Sequence, residues 1–192
     1  MLSERLRAWT QGFRSALGRI IGRWGVSPNT LTLFGYLLHL PVMYALAFGH
    51  FALGGILLAV ASAFDALDGS VAREMGRVTA FGAFFDSVAD RFSEATVLLG
   101  LLLLYVGQGG RIEPVLIYIS LVGSMMVSYT RARAEALGVQ CKEGLFTRFE
   151  RVILLVIGLV VGRVRLVLWA LAILTVFTAL QRVYHVWRKT TG

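Results

Sequence analysis

Between positions 65 and 90 the chain sets four aspartates, Asp65, Asp68, Asp86 and Asp90, into otherwise apolar sequence. Asp65 and Asp68 are three apart and Asp86 and Asp90 four apart, so each pair lies on one face of a helix. Ionised carboxylates at membrane depth are costly, at least ~2.5–3.5 kcal/mol each on insertion scales, and persist only where something compensates them. Arg73, Arg77 or Arg91 could neutralise one or two of these acids as bland ion pairs. Four in register with Gly69 and Gly82 ask for more, and cations shared between two neighbouring helices supply it. The chemistry predicted is a divalent-metal site built on two neighbouring helices, because hard divalent cations take carboxylate oxygen ligands.

The elements that position these residues are membrane helices. The 192-residue chain is 57% hydrophobic and only 16% charged, where a soluble domain carries about a quarter charged residues. Six apolar segments, each near the ~20 residues needed to cross a bilayer, run over Leu31–Phe48, Phe51–Ala72, Ala83–Val106, Pro114–Ala134, Phe146–Val161 and Val164–Val186. The second, third and fourth end in polar residues, which suits helices projecting past the hydrocarbon with a site at the water interface. Residues 1–27 alternate Arg5, Arg7, Arg14, Arg19 and Arg23 with Leu, Trp, Phe and Ile at helical spacing. That pattern predicts an amphipathic helix lying on anionic headgroups rather than a signal peptide. The fold expected is therefore an all-α integral membrane protein. It has six transmembrane helices plus an N-terminal cytoplasmic amphipathic helix, with residues 28–192 as one transmembrane domain.

Net charge is +8. Most Lys and Arg fall in the N-terminal segment, the connection after the second span, the region joining the fourth and fifth, and the C-terminal end, with Arg111, Arg163 and Arg165 on the opposite side. The positive-inside rule then puts both termini and the aspartates at the cytoplasmic face of the plasma membrane. Nucleic acid is excluded as the partner, since the basic residues flank spans instead of forming a soluble face. Cys141 is the single cysteine, which rules out an intrachain disulfide or a thiolate cluster. His39, His50 and His185 share no ligand spacing and read as packing or interfacial residues. A transporter is the competing class, because intramembrane acids also serve ion pathways. It would need a polar route through stretches such as Gly54–Val60 and Val97–Leu104, which are apolar.

The aspartate segment resembles the signature of the CDP-alcohol phosphatidyltransferases, D-x2-D-G-x2-A-R-x8-G-x3-D-x3-D, at every fixed position. The resemblance implies transfer of a phosphatidyl group from CDP-diacylglycerol to an alcohol, with release of CMP. It implies two Mg²⁺ ions, for which Mn²⁺ can substitute, held by Asp65, Asp68, Asp86 and Asp90, with Asp90 also taking the acceptor hydroxyl's proton. Arg73 and Thr79 are implied for the CDP group, together with Asn29, Thr30, Leu31 and Thr32 at the entry to the first span. Gly69 lets the nucleotide approach the backbone. The family also implies a homodimer.

The acceptor is addressed by Ser128-Tyr129-Thr130-Arg131-Ala132-Arg133-Ala134-Glu135, followed by Gly144, Arg148, Glu150 and Arg151. A basic cluster beside a pyrophosphate site attracts an anionic, phosphorylated alcohol. These stretches are similar to those of the bacterial phosphatidylinositol-phosphate synthases, as is Gln181-Arg182 near the end. That likeness implies inositol 1-phosphate as acceptor, held by Ser128, Arg131, Arg148 and Arg182. The alternatives are glycerol 3-phosphate with the same chemistry, and an ether-lipid donor as in the archaeal inositol-phosphate enzymes.

Overall fold

A computed structural model describes residues 27–74, 79–141 and 144–191, with the backbone alone described over 66–74. All regular structure among the described residues is helical. In chain order the helices are α1 (Pro28–Leu37), α2 (His39–Ala47), α3 (Phe51–Glu74), α4 (Ala80–Gly107), α5 (Ile112–Ala136), α6 (Arg148–Val160) and α7 (Val164–Thr191). Each of the six segments expected to span the membrane holds a helix, the first of them in two pieces. The expected N-terminal interfacial helix lies outside the described residues, apart from Ser27.

Local sequence explains where the helices begin and bend. Ser27 caps α1, its hydroxyl accepting from the Thr30 N–H at 3.2 Å, with Pro28 at the first helical position, where a missing N–H costs nothing. The first expected span is divided at Leu38, three residues before Pro41. Proline has no N–H to bond the carbonyl four residues back, and its ring crowds that carbonyl, so the helix bends there. Thr79 caps α4 by accepting from the Gly82 N–H at 2.9 Å. At the start of α6 the Glu150 carboxylate accepts from the Thr147 N–H at 2.8 Å and from the Thr147 hydroxyl.

Length and composition make three stretches sufficient to cross a bilayer, Pro28–Ala47, Ile112–Ala136 and Val164–Thr191, with a shorter apolar helix over Phe51–Asp65. Helix α4 has the length, at 28 residues, but Asp86, Asp90, Arg91 and Glu94 interrupt its apolar character. Helix α6, at 13 residues, rises only ~20 Å.

Three helix pairs organise the bundle: α5 along α7, α2 against α4, and α3 against α6. Leu46, Leu101, Ile117, Leu159 and Leu168 fill the centre, while Leu103, Tyr118, Ile173 and Leu180 stay on the outside. Lipid is as apolar as this core, so close packing rather than escape from water must hold the helices together. Small residues at the crossings permit it: a Cβ on Gly100 would lie 2.5 Å from the Met43 carbonyl oxygen, and one on Gly123 would run into the Thr175 side chain. Far from the aspartates, Glu113 near the start of α5 pairs with Arg165 near the start of α7, the guanidinium Nε donating at 2.7 Å.

Candidate active site

The pairing of α3 with α6 is antiparallel: Asp65 meets Arg148 at one end, and Gly55 packs on Val156, Leu159 and Val160 at the other. Between these helices, α4 and the last turns of α5 lies a cavity of about 700 Å³. Its charged end gathers Asp65, Asp86, Asp90, Arg91, Ser128, Arg131, Arg148 and Arg182. Its other end is apolar, walled by Ala59 and Ala63 of α3 and by Val152, Ile153, Val156 and Ile157 of α6. Phe149, Ile153 and Ile157 follow one another at helical spacing, line this cavity and are themselves exposed.

Arg148 is the centre of the charged end. Its guanidinium donates to Asp65 Oδ2 at 2.9 Å and to Asp90 Oδ1 at 2.7 Å, joining α3 to α4 across the start of α6. The sequence expectation gave this residue to the acceptor phosphate; here it lies between two of the expected metal ligands. A guanidinium fork suits any pair of anionic oxygens, carboxylate or phosphate. Its Nε is buried with no hydrogen-bond partner among the described residues.

Asp65, only 9% exposed, is also shaped by the bend of the first span. A Cβ at Gly35 would occupy the space of its carboxylate. His39, one turn later, is buried, with Nδ1 2.9 Å from the Gly35 carbonyl oxygen. Since a carbonyl only accepts, Nδ1 carries the proton, and Nε2 faces Asp65 Oδ2 at 3.9 Å. His39 thus backs a site residue, where the sequence reading placed it in packing. Asp90 has a second cation beside it, Arg91 Nη1 at 3.7 Å, which donates to the Ser87 carbonyl.

The other residues expected on the acceptor side, Ser128, Arg131 and Arg182, share the same cavity. Arg131 is half exposed and pairs with Glu135 one turn on, at 2.8 Å. Arg182 is buried, donates through Nη1 to the Val127 carbonyl, and packs so closely on Gly144 that a Cβ there would lie 2.9 Å from its guanidinium. Gly144 has φ +141°, a conformation that favours glycine. One ion pair that sequence reasoning missed anchors this region: Arg151, buried, holds Glu94 of α4 with Nε at 2.6 Å and Nη2 at 2.9 Å, and reaches the Phe146 carbonyl at 3.3 Å. Glu94 continues the Asp86–Asp90 face by another four residues, and Arg151 follows Arg148 by three, so the register contained the signal.

Of the residues expected to hold the CDP group, those whose side chains are described lie at the start of α1 and just before α4. Asn29 and Thr79 come together at the adjoining N-termini of α1 and α4, where a Cβ on Gly82 would lie 3.3 Å from Asn29 Oδ1 and 3.0 Å from Thr79 Oγ1. Thr30 bonds Ser27 at 2.8 Å, while Leu31 and Thr32 are buried. None of these lines the cavity. Asp68, Gly69 and Arg73 sit on the last turns of α3, and their side chains are outside those described. Among the described residues no three Asp, Glu, His or Cys side chains close into a metal-holding group. The donors present at the cavity are nonetheless carboxylate oxygens, the set that hard divalent cations prefer.

Residues 25–181 match the family model of the CDP-alcohol phosphatidyltransferases. An archaetidylinositol phosphate synthase of Pyrococcus horikoshii is 39% identical over 170 residues, 88% of this chain and 88% of that protein. The solved phosphatidylinositol phosphate synthase of Mycobacterium tuberculosis with CDP-DAG bound superposes with a TM-score of 0.84 at 31% identity, covering 91% of this chain and 93% of that one. The same enzyme in complex with manganese and citrate also gives 0.84 at 31% identity, covering 91% and 88%. The chain belongs to the CDP-alcohol phosphatidyltransferase family. It is a membrane transferase of phospholipid synthesis.

Proposed function

We propose that the enzyme transfers a phosphatidyl group from CDP-diacylglycerol to inositol 1-phosphate, giving phosphatidylinositol phosphate and CMP. The observation that carries this reading is the meeting, in one cavity, of Asp65, Asp86 and Asp90 with Ser128, Arg131, Arg148 and Arg182. An acidic wall suits a cation-bound pyrophosphate, and a basic wall suits a second, phosphorylated substrate. Two Mg²⁺ ions, or Mn²⁺ in their place, on Asp65, Asp68, Asp86 and Asp90 would neutralise the charge that develops on the leaving CMP.

The chain's own residues do the rest. Asp90 accepts the proton of the acceptor hydroxyl as that oxygen bonds to the phosphatidyl phosphorus and the bond to CMP breaks. Arg131, Arg182 and Arg148 hold the acceptor's phosphate, and Ser128 meets a ring hydroxyl. Asp65 and Asp90 can be neutralised by Arg148 or by cations; in the second case the guanidinium is left for the phosphate. Arg73 and Thr79, with Asn29, Thr30, Leu31, Thr32 and Gly69, are assigned to the CDP group. The architecture proposed is six spans, residues 1–27 on the membrane surface, the cavity and both termini at the cytoplasmic face of the plasma membrane, and a homodimer.

A competition assay tests the acceptor. The purified enzyme receives CDP-diacylglycerol, Mg²⁺ and equal amounts of inositol 1-phosphate, glycerol 3-phosphate, serine and free inositol, and the lipid products are read by mass spectrometry. Phosphatidylinositol phosphate should dominate. A majority of phosphatidylglycerophosphate would move the assignment to the glycerol 3-phosphate enzyme.

A further inference from the structure

Ser62 lines the cavity from α3, three residues before Asp65, and its hydroxyl is buried with no hydrogen-bond partner among the described residues. A serine inside a helix ordinarily ties its hydroxyl to the carbonyl four residues back. Ser120 does so to Leu116 at 2.7 Å, Thr130 to Met126 at 2.7 Å and Thr175 to Leu171 at 2.8 Å. Ser62 makes no such bond to Leu58. A buried orphan hydroxyl is destabilising, so its persistence on a cavity wall points to a partner carried by the ligand.

Its position selects which part of the ligand that is. Ser62 precedes Asp65 by three residues, ~4.5 Å along the helix axis, toward the apolar end. Ala59 and Ala63 flank it on α3, and Val152 and Val156 belong to the facing helix. A CDP-lipid with its pyrophosphate at the aspartates and its chains among these apolar side chains passes its glycerol at the level of Ser62. The polar atoms there are the ester carbonyls, a few bonds from the transferred phosphorus.

We propose that Ser62 is a specificity-determining residue that donates a hydrogen bond to an ester carbonyl of the donor. It thereby makes the enzyme selective for diacyl over dialkyl CDP-lipids. This rests on the proposed reading of the cavity's acidic wall as the place of the donor's pyrophosphate. A dialkyl ether carries a methylene where the carbonyl would be, and binding it leaves the Ser62 hydroxyl buried and unpaired. A site built to hydrogen-bond a polar group rejects the analogue lacking it more strongly than an apolar pocket rejects an extra group.

The test measures donor binding to the full-length protein in nanodiscs with Mg²⁺ and no acceptor, so the outcome is independent of which alcohol is used. Wild-type protein should bind CDP-diacylglycerol about three- to tenfold more tightly than the matched dialkyl compound, the range of one neutral hydrogen bond. Ser62→Ala should weaken the diacyl donor by that factor and leave the dialkyl donor unchanged, while Ser62→Thr keeps the preference. Equal or reversed affinities in the wild type, or a Ser62→Ala loss that falls on both donors alike, overturns the assignment. Failure of the inositol phosphate reading would show instead in the competition assay, with this selectivity intact.

Discussion

At Arg148 the charge of a single side chain is claimed by two demands. It satisfies Asp65 and Asp90 at hydrogen-bonding distance, yet it lines the cavity with Ser128 and Arg131. Arg148→Ala should therefore raise Mn²⁺ affinity of the donor-free enzyme, by about tenfold for loss of one nearby positive charge at partial exposure, as read by electron paramagnetic resonance. The same variant should raise the acceptor's KM by about tenfold with little change in the donor's, because binding is lost from one substrate. Weaker Mn²⁺ binding would show that the guanidinium supports the cation site instead of competing with it. Asp90→Asn separates a different pair of roles. Turnover should be abolished, while CDP-lipid binding, followed by titration, should persist if proton transfer is its larger task. The aspartates were legible in sequence because their spacing is local. Arg148's partners were not, since a positive charge states only that it needs an anion. His39 and Gly35 against Asp65 were not legible either, because the bend at Leu38 and the packing of α1 and α2 on α3 bring them there.

The element that sets the site is the first turn of α6, whose Arg148 and Arg151, three apart on one face, both reach α4. Arg151 and Glu94 form a two-pronged, nearly water-free pair from α6 to α4. Removing one partner leaves a buried charge exposed to no compensation, at a cost of about 3–5 kcal/mol. Arg151→Ala should thus lower Tm markedly in detergent and raise the acceptor's KM through a displaced Arg148. The double variant Glu94→Leu with Arg151→Met should recover much of the Tm, because apolar replacements of a buried pair are often neutral or better. Its acceptor KM should stay high, since the orientation of the α6 start is lost with the pair. A Tm unaltered by Arg151→Ala would mean that α6 is held by packing alone. The helices themselves followed from apolar length, and only the division of the first span needed the local effect of Pro41. Helix pairing was beyond periodicity, because residues facing lipid and residues facing other helices are equally apolar.

For the whole molecule, the distribution of charge is what supports the proposed orientation. The two ends of the bundle differ: one holds the aspartates, Arg131, Arg148, Arg182 and the C-terminal Arg188 and Lys189, the other Arg111, Arg163 and Arg165. On that second end Glu113 takes Arg165 into an ion pair, so part of its smaller positive charge is already offset. Orientation tracks Lys and Arg near span ends, so the excess at the aspartate end supports the proposed cytoplasmic placement of that end. The prediction uses single cysteines introduced into a Cys141→Ser background, since the native thiol is buried. Gln108→Cys, in the turn after α4, should react with a membrane-impermeant maleimide on intact cells. Thr190→Cys, at the end of α7, should react only after permeabilisation. Both positions are exposed in the fold, so failure to label reports sidedness rather than burial. The reverse pattern would put the aspartates outside, away from nucleotide-activated lipid, and would remove the physical basis for the proposed reaction.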